Sequence, residues 1–84
     1  MPRRIRDPIT RLLRILALLP RAPRKIGTRE IHAKLLSEGY DVSCRTIERD
    51  LHRLRAALPI VLDRAHRPFG WAWDHAALRP RPRD

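Results

Sequence analysis

A second cysteine is missing. Cys44 stands alone among 84 residues, which rules out an internal disulfide and any multi-thiolate zinc site and suits a reducing compartment, so a cytoplasmic protein is expected. Long apolar runs are missing as well. The longest, Ile15–Leu19, falls far short of the roughly 18 residues a membrane span needs. It is preceded by Arg11 and Arg14 and followed by no small-residue cleavage site, so no secretory signal is expected. Glycine is scarce, at 3 residues, and none sits in a phosphate-cradling loop. No nucleophile has a base at a suggestive spacing, and no carboxylate pair marks a catalytic cleft. An enzyme is not expected, and neither is a cofactor. His32, His52, His66 and His75 show no i,i+3 or i,i+4 pairing with one another or with Cys44, so no metal site is expected either.

Acidic residues are the next shortage: 9 Asp and Glu against 19 Lys and Arg, for a formal charge of +10. Only Lys25 and Lys34 are lysine, so the excess is arginine, whose planar fork fits phosphates and guanine edges. A small chain with this charge attracts polyanions, with nucleic acid first and an anionic membrane second. At 43% apolar residues the chain is too hydrophobic for a purely disordered basic tail, and its length allows one small domain.

The most informative stretch is Ser43 to Leu54, SCRTIERDLHRL. At helical spacing Ile47, Leu51, Leu54 and Leu58 form one apolar stripe, with Arg45, Arg49, His52 and Arg53 on the other side. Ser43 stands at the N-cap position, where its hydroxyl accepts from an orphan backbone N–H. A helix with an apolar back, a basic front and an anion-friendly start suits a major groove.

Upstream, Met1 to Arg6 reads as a flexible basic arm (residues 1–6) whose Arg3, Arg4 and Arg6 could follow a DNA backbone. Asp7 and Pro8 open a first helix, with Ile9, Leu12, Leu13, Leu16 and Leu19 as the expected buried stripe and Pro20 as its stop. Ile15 and Leu18 lie off that stripe and need cover, which a wing, the N-terminal arm or a second copy of the chain in a homodimer could supply. Arg21 to Gly27 reads as a basic, proline-bearing loop. Thr28 is expected to cap a second helix to about Glu38, supported by a Glu30–Lys34 pair and ended by Gly39 in the left-handed position. A helix, a short turn with Val42 as an inward plug, and a capped basic helix make a helix-turn-helix. That third helix, about residues 44–57, ends before Pro59.

Ile60 to Asp63 then reads as a strand, and Arg64 to Pro68 as a turn. Phe69, Trp71 and Trp73 alternate at period two, so their rings are expected on one face of a second strand laid against the helices. The expected fold is mainly α with a small β-hairpin: three helices plus a two-stranded wing over residues 7–75, followed by a Pro/Arg-rich disordered tail at 76–84.

Val42-Ser43-Cys44-Arg45-Thr46-Ile47-Glu48-Arg49-Asp50-Leu51 resembles the V-S-x-R-T-I-x-R-D-L recognition helix of bacterial DeoR-like winged helices. Together with Arg67-Pro68-Phe69-Gly70-Trp71-Ala72-Trp73, it is similar to the N-terminal DNA-binding domain of WYL-domain transcriptional regulators. The resemblance covers Ile9 to Trp73. It implies a winged helix-turn-helix that binds operator DNA as a dimer, with Ser43, Arg45, Thr46 and Arg49 at the DNA and the wing along a flanking groove. Members continue into a ligand-sensing domain, whereas this sequence ends at Asp84, so ligand sensing does not carry over.

Chemistry separates the expected roles. Thr28, Ser43 and the helix-start N–H groups suit phosphates. Arg45 and Arg49, one turn apart, suit guanine O6 and N7, and Thr46 suits a thymine methyl or a phosphate. Arg53 suits a phosphate where the helix leaves the groove. Arg64, His66 and Arg67 at the wing tip suit backbone or minor groove. Glu48 and Asp50 are expected to pair with His52 and Arg53, His32 to pack with a local hydrogen bond, and Cys44 to be a plain small residue. Three alternatives stand beside sequence-specific duplex binding: an accessory subunit that binds nucleic acid without specificity, a winged helix docked on an acidic protein, and an RNA binder that stacks bases on Trp71 or Trp73.

Overall fold

The computed structural model describes residues 6–74. Arg3, Arg4, His75 and the tail at 76–84 lie outside the described residues. The described chain runs through helix α1 (Pro8–Leu18), α2 (Thr28–Ser37), α3 (Cys44–Ala57), strand β1 (Ile60–Asp63) and strand β2 (Gly70–Trp73). It is a three-helix unit with a small hairpin, the arrangement of a winged helix-turn-helix.

Local signals set the helix ends. Asp7 caps α1: its carboxylate accepts from the backbone N–H of Ile9 at 3.1 Å and from Thr10 Oγ1 at 2.6 Å. Those bonds, the Thr10 hydroxyl's first, hold its carboxyl below the ordinary value of 3.8. Gly39 takes φ 96°, which glycine alone adopts without steric cost. It lets the Gly39 N–H reach the Leu36 carbonyl (3.1 Å) and the Tyr40 N–H reach that of Leu35 (2.9 Å). This 5→2 and 6→1 pairing satisfies the last carbonyls of α2 and turns Tyr40 inward. The N-cap of α2 is Gly27 rather than Thr28, with no side-chain cap. Thr28 is the first helical residue because its hydroxyl is drawn to the Trp71 indole, whose Nε1 donates to it at 3.3 Å. Glu30 and Lys34 make no ion pair with each other.

Ile15, Ile31, Leu35, Ile47 and Leu51 are wholly enclosed and form the centre of the core. Each contributes about 1.5–3 kcal/mol of burial. The inward face of α1 differs from the expected stripe. Ile15 and Leu19 are buried, while Ile9 and Leu13 are 69% and 63% exposed. The cause is an ion pair across the core: Arg11 Nε and Nη2 donate to the Asp50 carboxylate of α3 at 2.6 and 3.3 Å. Drawing Arg11 inward turns Ile15 and Leu18, at i+4 and i+7, toward the core and Ile9 and Leu13 toward solvent. Ile15 therefore cannot meet a second copy, and Leu18 packs against the core. The pair also corrects the partner of Asp50, which lies on the buried side of α3 (3% exposed) and away from His52 and Arg53.

The hairpin is antiparallel, with Ile60 opposite Trp73 and Leu62 opposite Trp71. Ile60 and Trp71 are buried in the core, and Leu62 and Trp73 pack against it. Trp73 Nε1 donates to the Leu16 carbonyl at 3.3 Å, which ties the strand to α1. The α1–α2 segment, expected only as a loop, lies along the other edge of β2. Ala22 N and Ile26 N donate to the carbonyls of Trp73 and Trp71 (both 2.9 Å), while Trp71 N and Trp73 N donate to those of Ile26 and Pro20 (both 2.8 Å). Phe69 departs from the expected aromatic face. It precedes the strand, is half exposed, and carries the Arg67 guanidinium 5.7 Å from its ring centroid.

Candidate nucleic-acid interface

Ser43 caps α3 as its position implies, accepting from Thr46 N at 3.2 Å. Its hydroxyl also lies 3.1 Å from Thr46 Oγ1. The two hydroxyls need only one proton between them, so this helix start keeps one hydroxyl donor, from Ser43 or Thr46, for a phosphate. Thr28 keeps one as well: its oxygen accepts from Trp71 and its own proton is uncommitted. The backbone N–H groups at the starts of α2 and α3 complete two anion-friendly helix ends.

From that start, Ile47, Asp50 and Leu51 turn inward, and Arg45, Arg49, Arg53 and Arg55 are exposed. None of the four has an ion-pair or hydrogen-bond partner among the described residues. Four of the described acids are engaged elsewhere. Asp50 holds Arg11, and Glu38 holds Arg14 through two bonds of 2.6 and 2.8 Å. Asp63 holds Lys25 at 3.0 Å, and Asp41 meets Arg6 at 3.3 Å. The cations in these pairs all come from the first 25 residues and none comes from α3. The hydrogen bond from Arg14 lowers the Glu38 carboxyl from 4.5, and that from Lys25 lowers Asp63 from 3.8.

Arg55 belongs to this row but was absent from the sequence expectation. No acid stands at i±3 or i±4 from it (His52, Leu51, Leu58 and Pro59 do), and that is the signal that could have found it. Arg29, exposed in the first turn of α2, was also passed over. His52 does not join the row. It is exposed, but its ring meets Trp71 edge-on, with centroids 5.1 Å apart.

The wing tip is held in place before any partner arrives. Asp63 Oδ1 accepts from the backbone N–H groups of Ala65 (2.9 Å) and His66 (3.3 Å), closing the turn. Lys25 Nζ reaches across to Asp63 and to the His66 carbonyl, at 3.0 and 2.7 Å. Its stem passes directly over Gly70, where a Cβ would stand 2.8 Å from Lys25 Cγ. Arg64, His66 and Arg67 are exposed on this turn. His66 Nδ1 lies 3.8 Å from Asp63 Oδ2, and Arg67 is stacked on Phe69.

Between α3 and the wing runs an open cleft of about 370 Å³ lined by Thr28, Glu48, Leu62, Arg64, Phe69 and Trp71. Glu48 makes no bond to His52 or to any other described residue, contrary to expectation. His32 behaves as expected: it is half buried, with Nε2 2.9 Å from the Val42 carbonyl oxygen. Among the described residues no group of three or more His, Cys, Asp or Glu could hold a metal ion, and no helix is long and apolar enough to cross a membrane. Both indoles are bonded inward; Trp71 is 2% exposed and offers no free face for stacking a base, and Trp73 is half buried against the core. Comparison with protein-family models, with curated proteins and with solved structures finds no match.

Proposed function

We propose that this chain binds double-stranded DNA with sequence selectivity, with α3 in the major groove and the wing against the flanking backbone. In that role it acts in the cytoplasm, at the nucleoid, as a transcriptional regulator. The observation that carries the reading is the unpaired arginine row on α3, left open while every cation in the described side-chain ion pairs with Asp or Glu comes from outside that helix. Arg45 and Arg49 are about 6 Å apart along the helix axis, a spacing that spans about two base pairs. Their forks suit guanine O6 and N7. Arg53, Arg55, Ser43, Thr46 and Thr28 supply phosphate contacts, and Arg64, His66 and Arg67 do so from the wing. The resemblance of residues 42–51 and 67–73 to the DNA-binding domain of WYL-domain regulators points the same way.

A homodimer accompanies this reading, with a different contact from the one expected. Ile9 and Leu13, one turn apart on the outer face of α1, are the apolar residues that helix offers to a second copy. Selection of bound sites from random duplex DNA tests both points. An enriched motif supports selective binding, and a palindromic or tandem one supports two copies per site. Recovery of no motif, together with stronger retention on an acidic protein than on duplex, overturns the reading in favour of a protein-docking module.

A further inference from the structure

We propose that Glu48 is a specificity-determining residue whose carboxylate accepts a hydrogen bond from the exocyclic amino group of cytosine, beside the base contacted by Arg45. The inference rests on the DNA-binding reading above. Glu48 and Glu30 are the described carboxylates that hold no cation and accept no hydrogen bond. Glu30 sits in the first turn of α2, where a negative charge is favoured by the helix dipole. Glu48 has no such role. It stands in the second turn of α3, exposed, three residues after Arg45 and one before Arg49, on the cleft between that helix and the wing.

A free carboxylate in this place weakens the attraction of the surface for phosphate and makes no hydrogen bond or ion pair within the fold. Once a duplex covers it, it needs a donor to replace its water. The major-groove edges offer the amino groups of cytosine and adenine as donors. An ionised carboxylate only accepts. Opposite adenine it would also face the N7 acceptor beside the amino group, and two acceptors repel. Cytosine's own major-groove edge carries the amino group beside a C–H, so the carboxylate meets no acceptor on the base that it reads. Arg45, a donor only, suits the guanine that accompanies that cytosine or adjoins it, so acceptor and donor at i and i−3 together read a guanine–cytosine step.

Selection from random duplex DNA is run on the full chain, on Glu48→Ala and on Glu48→Gln, with thermal melting of each as the check on folding. The wild-type chain is expected to enrich cytosine in one column by about 5- to 150-fold. Glu48→Ala flattens that column, leaves the others, and raises affinity for non-specific duplex by removing a negative charge. Glu48→Gln moves the same column toward adenine, because a carboxamide can donate to N7 and accept from N6 at once. A Glu48→Ala chain that selects the wild-type motif with every column intact overturns the inference and leaves the DNA-binding reading standing. A wild-type chain that enriches no motif overturns both.

Discussion

Removing the carboxylate of Asp50 should destabilise the domain more than removing any other described acid. Asp50 is 3% exposed, and the side chain of its partner Arg11 is 15% exposed. The short bond from Arg11 Nε, at 2.6 Å, is charge-assisted and is worth about 1.5–3 kcal/mol. The second, at 3.3 Å, adds less. Asp50→Ala would also strand a largely buried guanidinium, which puts the loss at the lower end of the roughly 3–5 kcal/mol typical of breaking a buried pair, because Arg11 keeps some access to water. A loss of about 3 kcal/mol lowers Tm by roughly 12–24 °C in a domain of this size. Urea denaturation of wild type, Asp50→Ala, Arg11→Ala and the double variant gives the coupling energy. The Arg11→Met, Asp50→Leu pair, which fills the same space without charge, should recover most of the stability. A loss under about 0.5 kcal/mol in Asp50→Ala, or a coupling near zero, would refute the assignment of this pair as the clamp that sets the rotation of α1.

Gly39→Ala, at φ 96°, should cost about 1–2 kcal/mol by forcing a Cβ into the left-handed region, seen as a lower urea midpoint with an unchanged m-value. The carboxyls of Asp7, Glu38 and Asp63 are all held below their ordinary values in the folded chain. Their stabilisation is therefore complete above those ordinary values of 3.8 to 4.5 and is lost as pH falls through the lower, folded ones. Melting curves from neutral pH downward should show Tm falling in that window, with a shallower fall in Glu38→Gln. If the chain neutralises about six phosphates, log affinity for duplex should fall against log salt with a slope near −5. Arg49→Ala should lower affinity for a selected site by about 1–3 kcal/mol and relax one position of the motif, with Tm within a degree or so of wild type because the side chain is exposed and makes no hydrogen bond or ion pair in the fold.

What was legible in the sequence is what neighbours in the chain decide. Asp7 with Pro8 starts α1 and Pro20 stops it, Gly39 ends α2, and Ser43 and Pro59 bound α3, each within a few residues. β1 lies at Ile60–Asp63 as its β-branched run implies. The rotation of α1 was not legible, because two apolar stripes were available and the choice rests on Asp50, 39 residues away from Arg11. The attachment of residues 20–26 to β2 was hidden for the same reason: four backbone bonds to a distant strand leave no periodic trace in a segment with two prolines and three cations. Phe69 was misplaced because a period-two pattern does not say where the strand begins. At the site, Arg45, Arg49 and Arg53 followed from helical spacing, and Arg55 did not. The Ser43–Thr46 hydroxyl contact and the isolation of Glu48 depend on how partners are shared in three dimensions.

The central claim is that the exposed arginines of α3 are a surface for duplex DNA. The most direct measurement is a fluorescence-anisotropy titration of a selected duplex, across a salt series, with the wild-type chain and with Arg45→Ala, Arg49→Ala. Wild type should bind with a steep salt dependence, and the double variant should lose about 2–6 kcal/mol of affinity while melting at the wild-type temperature. Equal affinity of the two chains for the duplex, or wild-type binding that ignores salt, would contradict it.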